Sequence, residues 1–166
     1  MLLSSKRFRT AIASLVLMAG IASAAPAMAD DGISLLDGHE DSNFTFNLTV
    51  SSTTAGTSGQ QKNETSPLLI YPTTITCDQC RVYGEGSTAR TGSWASGSSL
   101  TIGGYGTIYS GDKKTRLLLK TNIKEYGYSY ARLTAWKSSG EGKVSGVWSP
   151  DSYSQSGDII INAGYR

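Results

Sequence analysis

The sequence predicts an all-β protein, a single antiparallel β-sandwich or open barrel of about eight strands. Three observations carry the prediction. Short segments alternate apolar and polar residues with a period of two. Breaker-rich Gly, Ser and Thr stretches separate them at short spacing. Beyond the first thirty residues no stretch has the 3.6-residue periodicity of an amphipathic helix. Composition agrees. Only 17% of the 166 residues are charged, too few for a helical bundle or coiled coil. Three Trp, nine Tyr and a 39% hydrophobic share can form a core, which argues against charge-driven disorder.

Taken in order, residues 1–29 read as a secretory signal peptide. Lys6, Arg7 and Arg9 make a positive start, Ala11 to Ala25 an apolar run, and Ala27-Met28-Ala29 an A-x-A cleavage site before Asp30. The run is shorter than the roughly 20 residues a membrane-spanning helix needs. No second apolar run follows, so the mature chain of 137 residues is expected to be secreted, without a transmembrane segment. Removing the signal takes three of fifteen basic residues and none of the thirteen acidic ones, which turns a formal +2 into −1. Residues 30–43 then read as an acidic, flexible leader holding Asp30, Asp31, Asp37, Glu40 and Asp41. Residues 44–166 are the β domain, with twelve basic residues against eight acidic. A mildly basic body favours polyanions, but so thin a spread fits a solvated surface equally well, and nucleic acid is not the expected partner.

Within the domain, Phe44, Phe46, Leu48 and Val50 alternate with polar residues and mark a half-buried strand. Ser51 to Pro67 reads as a long loop. Leu68 to Cys77 is a strand interrupted by Pro72, which implies an edge or a bulge, and Arg81 to Tyr83 is expected to pair back on it. Glu85 to Ser99 is a Gly/Ser loop centred on Trp94. Leu100 to Tyr109 and Thr115 to Ile123 read as a hairpin turning at Gly111-Asp112. Tyr126 to Trp136, Lys143 to Trp148 and Asp158 to Tyr165 supply the last three strands.

Cys77 and Cys80 form C-x-x-C between two extended segments. A thioredoxin-like site would place this motif at a helix start, and a zinc site would need two more soft ligands. The preferred expectation is a local disulfide across a tight turn, with a redox thiol or a metal ligand pair as alternatives.

Catalytic signatures are sparse, and the protein is expected not to be an enzyme. His39 is the only histidine and lies in the leader, so a Ser–His or Cys–His arrangement has no base within the domain. Ser110-Gly-Asp-Lys113 fits S-x-x-K but lies in a turn rather than opening a helix. Glu85, Glu125 and Glu141 are the carboxylates that could meet in space for glycoside hydrolysis. No cofactor or metal site is expected.

Aromatic residues carry the binding prediction. On a continuous strand Tyr126, Tyr128, Tyr130, Arg132 and Trp136 share one face, with small residues on the other. Exposed, such a stripe stacks on sugar rings and donates to anions. Buried, it is ordinary core. Tyr105 and Tyr109, with Arg116 and Lys120, are expected to share a face of the preceding hairpin.

The segment Ser139-Gly-Glu-Gly-Lys-Val-Ser-Gly-Val-Trp-Ser-Pro-Asp151 resembles the closing motif of a functionally uncharacterised family of small exported proteins of Gram-positive bacteria. That resemblance implies a Gly/Ser/Tyr-rich β domain behind a signal peptide. In architecture the chain is also similar to lactococcin-type exported bacteriocins. Two functions are therefore expected: a non-catalytic binding domain at a cell surface, taking envelope carbohydrate, a polyanion or a protein, or alternatively a bacteriocin-like effector acting on a target cell.

Overall fold

The computed structural model describes residues 41–165. Residues 1–29, read above as a signal peptide, and all but the end of the expected acidic leader lie outside the described residues. Ten strands occur among them: β1 Ser42–Leu48, β2 Thr54–Gly56, β3 Gln60–Gln61, β4 Leu68–Ile75, β5 Gln79–Ser87, β6 Gly106–Tyr109, β7 Leu117–Leu119, β8 Tyr130–Ser139, β9 Gly142–Ser149 and β10 Ile159–Ile160. A one-turn helix α1, Gly97–Leu100, and a 3-10 turn at Ser110–Asp112 complete the order. The leader boundary moves, because Ser42 and Asn43 already belong to β1.

The strands form two open five-stranded sheets. The first runs β1-β9-β4-β7-β10. In the second, β8, β5 and β6 lie side by side, and β2 and β3 both line the free edge of β8. The sheets are not wholly antiparallel, since β10 runs parallel to β7 when the C-terminal segment returns along that edge.

One hydrophobic core draws on both sheets. Phe44, Phe46 and Leu48 of β1, Leu68 and Ile70 of β4, and Val144 and Trp148 of β9 enter it from the first sheet. The second sheet contributes Val82, Ile108, Ala131, Leu133 and Ala135. A Cβ on Gly84 of β5 would come within 2.8 Å of Leu68 and 2.6 Å of Thr121, so glycine there permits the close approach of the second sheet. Alternation along β1 is as predicted, although Val50 falls beyond its end and is exposed.

Two features of the V-S-G-V-W segment are structural. Trp148 is fully buried. Gly146 sits between β1 and β4, where a Cβ would lie 2.1 Å from the Tyr71 carbonyl oxygen. The register of β4 shifts beside it, between Pro72 and Thr74. The bulge expected at Pro72 is therefore present, but in a central strand rather than an edge.

Both predicted hairpins are corrected. β4 belongs to the first sheet and β5 to the second, so Arg81 to Tyr83 pairs with β6 and β8 instead of returning on β4. Likewise β6 lies in the second sheet and β7 in the first, and the expected pairing survives only as an isolated antiparallel bridge between Thr101 and Thr121. In both places the chain crosses between sheets through a turn that sequence alone cannot distinguish from a hairpin turn. Leu117, Leu118 and Leu119 are all buried, so β7 lacks the alternation of a one-sided hairpin strand. The loop expected from Ser51 to Pro67 contains the two short edge strands β2 and β3.

Between β2 and β3 the edge is held without regular pairing. The Thr57 N–H donates to the Leu133 carbonyl at 2.8 Å, and the Thr57 hydroxyl accepts from the Leu133 N–H at 3.0 Å. A side-chain oxygen thus replaces a main-chain acceptor, and the outermost ladder of the second sheet continues across the break.

Candidate binding face

The outward side of the second sheet is built by period-two alternation in its two long strands. In β5, Cys80, Val82, Gly84 and Gly86 are buried, which turns Gln79, Arg81, Tyr83 and Glu85 outward. In β8, Ala131, Leu133 and Ala135 are buried, which turns Tyr130, Arg132, Thr134 and Trp136 outward. The register places Arg81 opposite Trp136, Tyr83 opposite Thr134 and Glu85 opposite Arg132. Of the two arrangements the sequence allows for this strand, the one with small residues inward and Arg132 and Trp136 outward is present.

The face has two halves. At one end Arg132 Nε donates to Glu85 Oε2 at 2.5 Å, and its guanidinium lies 4.7 Å from the centre of the Trp94 ring. The loop leading into α1 packs on this half. A Cβ on Gly97 would be 2.4 Å from Tyr83 Cβ and 3.1 Å from Glu85 Cγ, and a Cβ on Gly59 would be 2.6 Å from the Trp94 ring. The charge of Arg132 is matched here and its surface partly covered.

The other half is open. Arg81, Tyr83, Trp136, Lys137 and Ser138 line a shallow groove of about 220 Å³. Trp136 is 52% exposed. Arg81 is exposed, and its guanidinium lies 4.4 Å from the centre of the Tyr105 ring, a cation–π distance. Arg81 makes no ion pair among the described residues. Lys137 Nζ stands 3.9 Å from Glu141, whose same oxygen accepts the Val50 N–H.

The predicted aromatic stripe is only partly one surface. Tyr130, Arg132 and Trp136 project from β8 as expected. Tyr126 and Tyr128 precede the strand, in a turn where Gly127 has φ +82°. Tyr126 is exposed there, whereas Tyr128 packs against the core, its ring where a Cβ on Gly86 would stand. A left-handed glycine breaks the alternation that would have carried the stripe further. Tyr105 adjoins the open half through Arg81. Tyr109 is exposed at the end of β6, opposite Gln79. Arg116 and Lys120 do not join them. Arg116 is buried and donates to Asp158 at 2.8 Å, and Lys120 lies over the Tyr165 ring. Arg81, Tyr83, Trp94, Lys137 and Ser138 were not singled out from sequence. The alternation Gln79, Arg81, Tyr83, Glu85 against Cys80, Val82, Gly84, Gly86 was the available signal.

The expected disulfide is absent. Cys77 and Cys80 are free and buried. They are not cross-strand partners, because the turn between them carries the chain from one sheet to the other and Cys80 pairs with Ile108 and Lys137. A hydrogen bond from the Cys80 thiol pulls Cys77 from the ordinary thiol value to about 7, against burial and the charge of Asp78. The same contact, burial and the charges of Cys77 and Asp112 push Cys80 up.

Two of the three carboxylates weighed for hydrolysis are engaged elsewhere. Glu85 pairs with Arg132, and Glu141 receives the Val50 N–H. Ser110 lies in the 3-10 turn, whose Asp112 accepts the Tyr109 N–H at 2.7 Å. His39 lies outside the described residues. Among the described residues no three metal-ligating side chains cluster, and no helix is long and apolar enough to cross a membrane.

Fold and site together define an all-β domain of two open sheets, one of which carries a half-covered, half-open aromatic and cationic face. Residues 27–152 match the model of a family described as protein of unknown function (DUF2712), and the chain belongs to that family. The match includes every residue of the open groove and stops short of β10. No curated protein and no solved structure matches the chain.

Proposed function

We propose that this protein is a secreted, non-catalytic binding domain that acts at a cell surface, and that the open half of the second sheet holds its ligand, an envelope carbohydrate. The signal-like segment at residues 1–29 supports export, and the closing motif supports a place among small exported Gly/Ser/Tyr-rich proteins of Gram-positive bacteria. The observation that carries the binding reading is Trp136. A half-exposed indole on a regular strand, beside an exposed arginine and above a groove, is a flat apolar surface with hydrogen-bond donors at its rim. Sugar rings offer the complementary surface, apolar C–H faces edged by hydroxyls. Large aromatics also supply contact area at small entropic cost.

The test is co-sedimentation of the purified mature protein with isolated Gram-positive cell walls. Trp136→Ala should lose most of the bound fraction while shifting stability by less than about 1 kcal/mol, as expected for a surface position. Undiminished wall binding by a folded Trp136→Ala variant would refute the assignment of this face.

A further inference from the structure

We infer that the ligand of this face is an acidic glycan, in which a carboxylate or phosphate on a sugar is received by Arg81 while the ring lies on Trp136. The inference rests on the binding-face reading and adds the chemical class.

Charge accounting on the second sheet leads to it. Each half of the face carries an arginine against an aromatic ring, but only one arginine is neutralised. Arg132 stands against Trp94 and has Glu85 at 2.5 Å. Arg81 stands against Tyr105 and has no carboxylate among the described residues. Ring contact fixes a guanidinium without consuming its N–H donors. The plane stays on the π face, while the edge remains free to bind a two-oxygen anion in bidentate fashion. Lys137 borders the groove but falls at the inward parity of β8, opposite buried Cys80, with its ammonium 3.9 Å from Glu141, so Arg81 is the cation of the open face. No acidic residue lines the groove. A neutral glycan would leave Arg81 without a counter-charge. An anionic group on the sugar supplies it, and the Ser138 hydroxyl and Tyr83 phenol add polar contacts at the rim.

The register makes the double contact feasible. Arg81 and Trp136 are direct cross-strand partners, so their Cα atoms are about 4.5–5.5 Å apart and their side chains leave the sheet side by side. One pyranose ring is about that wide. A ring stacked on the indole therefore brings its substituent within reach of the guanidinium.

Calorimetric titration of the mature protein tests this with three probes: a galacturonic acid tetramer, the same tetramer with its carboxyls reduced to alcohols, and poly-aspartate of matched charge. The acidic tetramer should bind at least about tenfold more tightly than the reduced one, and raising the salt should shrink that margin. Arg81→Gln should abolish the margin and leave the weaker, reduced-tetramer affinity in place. Trp136→Ala should weaken both sugars. Equal affinity for the two tetramers, or a margin unchanged in Arg81→Gln, would overturn the acidic assignment while leaving a neutral-sugar face intact. Poly-aspartate binding as tightly as the acidic tetramer would also overturn it, since no ring would then be needed. Full affinity for both tetramers in Trp136→Ala would remove the underlying face reading as well.

Discussion

Replacing Lys62 by Met should destabilise the domain by about 3–5 kcal/mol, the range for removing one partner of a buried ion pair. Lys62 and Asp151 are 0% and 1% exposed, and Nζ lies 2.8 Å from Oδ1. The ammonium also donates to the Ser66 and Pro150 carbonyls, each at 2.7 Å, so its three N–H groups all have acceptors. Asp151 in turn accepts from the Asn63 and Glu64 N–H groups and the Ser66 hydroxyl. Methionine keeps most of the stem volume and removes the charge. It leaves a buried carboxylate uncompensated and two carbonyls unpaired. In many proteins, replacing both partners with apolar residues restores the loss. Here Lys62→Met/Asp151→Leu should not, because two N–H groups and a hydroxyl would then lack their acceptor, at about 1–3 kcal/mol for each group left unsatisfied. Urea denaturation reads both variants, as midpoints shifted at constant m. A loss below about 1 kcal/mol in Lys62→Met, or full recovery in the double variant, would refute the reasoning.

Three further outcomes follow from the same coordinates. Burial pushes the Asp151 carboxyl up, but hydrogen bonds from Lys62, Asn63 and Ser66 outweigh it and hold the group below its ordinary value. Its stabilisation is therefore complete above the unfolded value of about 3.9 and is lost as pH falls through the lower folded value, so Asp151→Asn should flatten the acid limb of the stability profile below about pH 4. Gly146→Ala should cost at least about 3 kcal/mol, because its Cβ would meet the Tyr71 carbonyl at 2.1 Å and Pro72 Cα at 2.8 Å; thermal unfolding measures this. Thiolate absorbance of the reduced protein should show one midpoint near 7, contributed by Cys77 and absent in Cys77→Ser.

What the sequence disclosed depends on whether the information was local. Alternation along Phe44, Phe46 and Leu48 and along Ala131, Leu133 and Ala135 is local, and it separated the two faces of each strand, although for β8 it left open which face is buried. The bulge at Pro72 was also legible, because proline removes a ladder donor wherever it stands. Sheet membership was not. Each misread hairpin looks locally like two strands and a turn, and only the distant partners β8 and β9 decide that the two strands separate. Gly127 illustrates a second limit. The alternation of Tyr126, Tyr128 and Tyr130 continues through it on paper, yet a left-handed glycine rotates the chain out of register and turns Tyr128 against the core. The groove fell between these cases. Arg81 and Tyr83 alternate plainly, but their importance depends on Trp136, which lies more than fifty residues away.

The same distinction governs the electrostatics. Twelve basic residues against eight acidic ones suggest a diffuse, mildly positive surface, but partners rather than counts determine which charges reach solvent. Lys62, Arg116 and Arg132 are each matched by a carboxylate far along the chain, Asp151, Asp158 and Glu85. The first two pairs are buried, and they anchor the segment after β9 to the loop after β3 and to the start of β7. These cations contribute to holding the fold and little to the outer field. Arg81 differs because its close neighbour is a ring, which orients the guanidinium and leaves its charge unneutralised. One unneutralised charge thus stands beside Trp136, and on the proposed reading it is this juxtaposition of ring and charge, rather than the overall basicity of the domain, that marks the binding face.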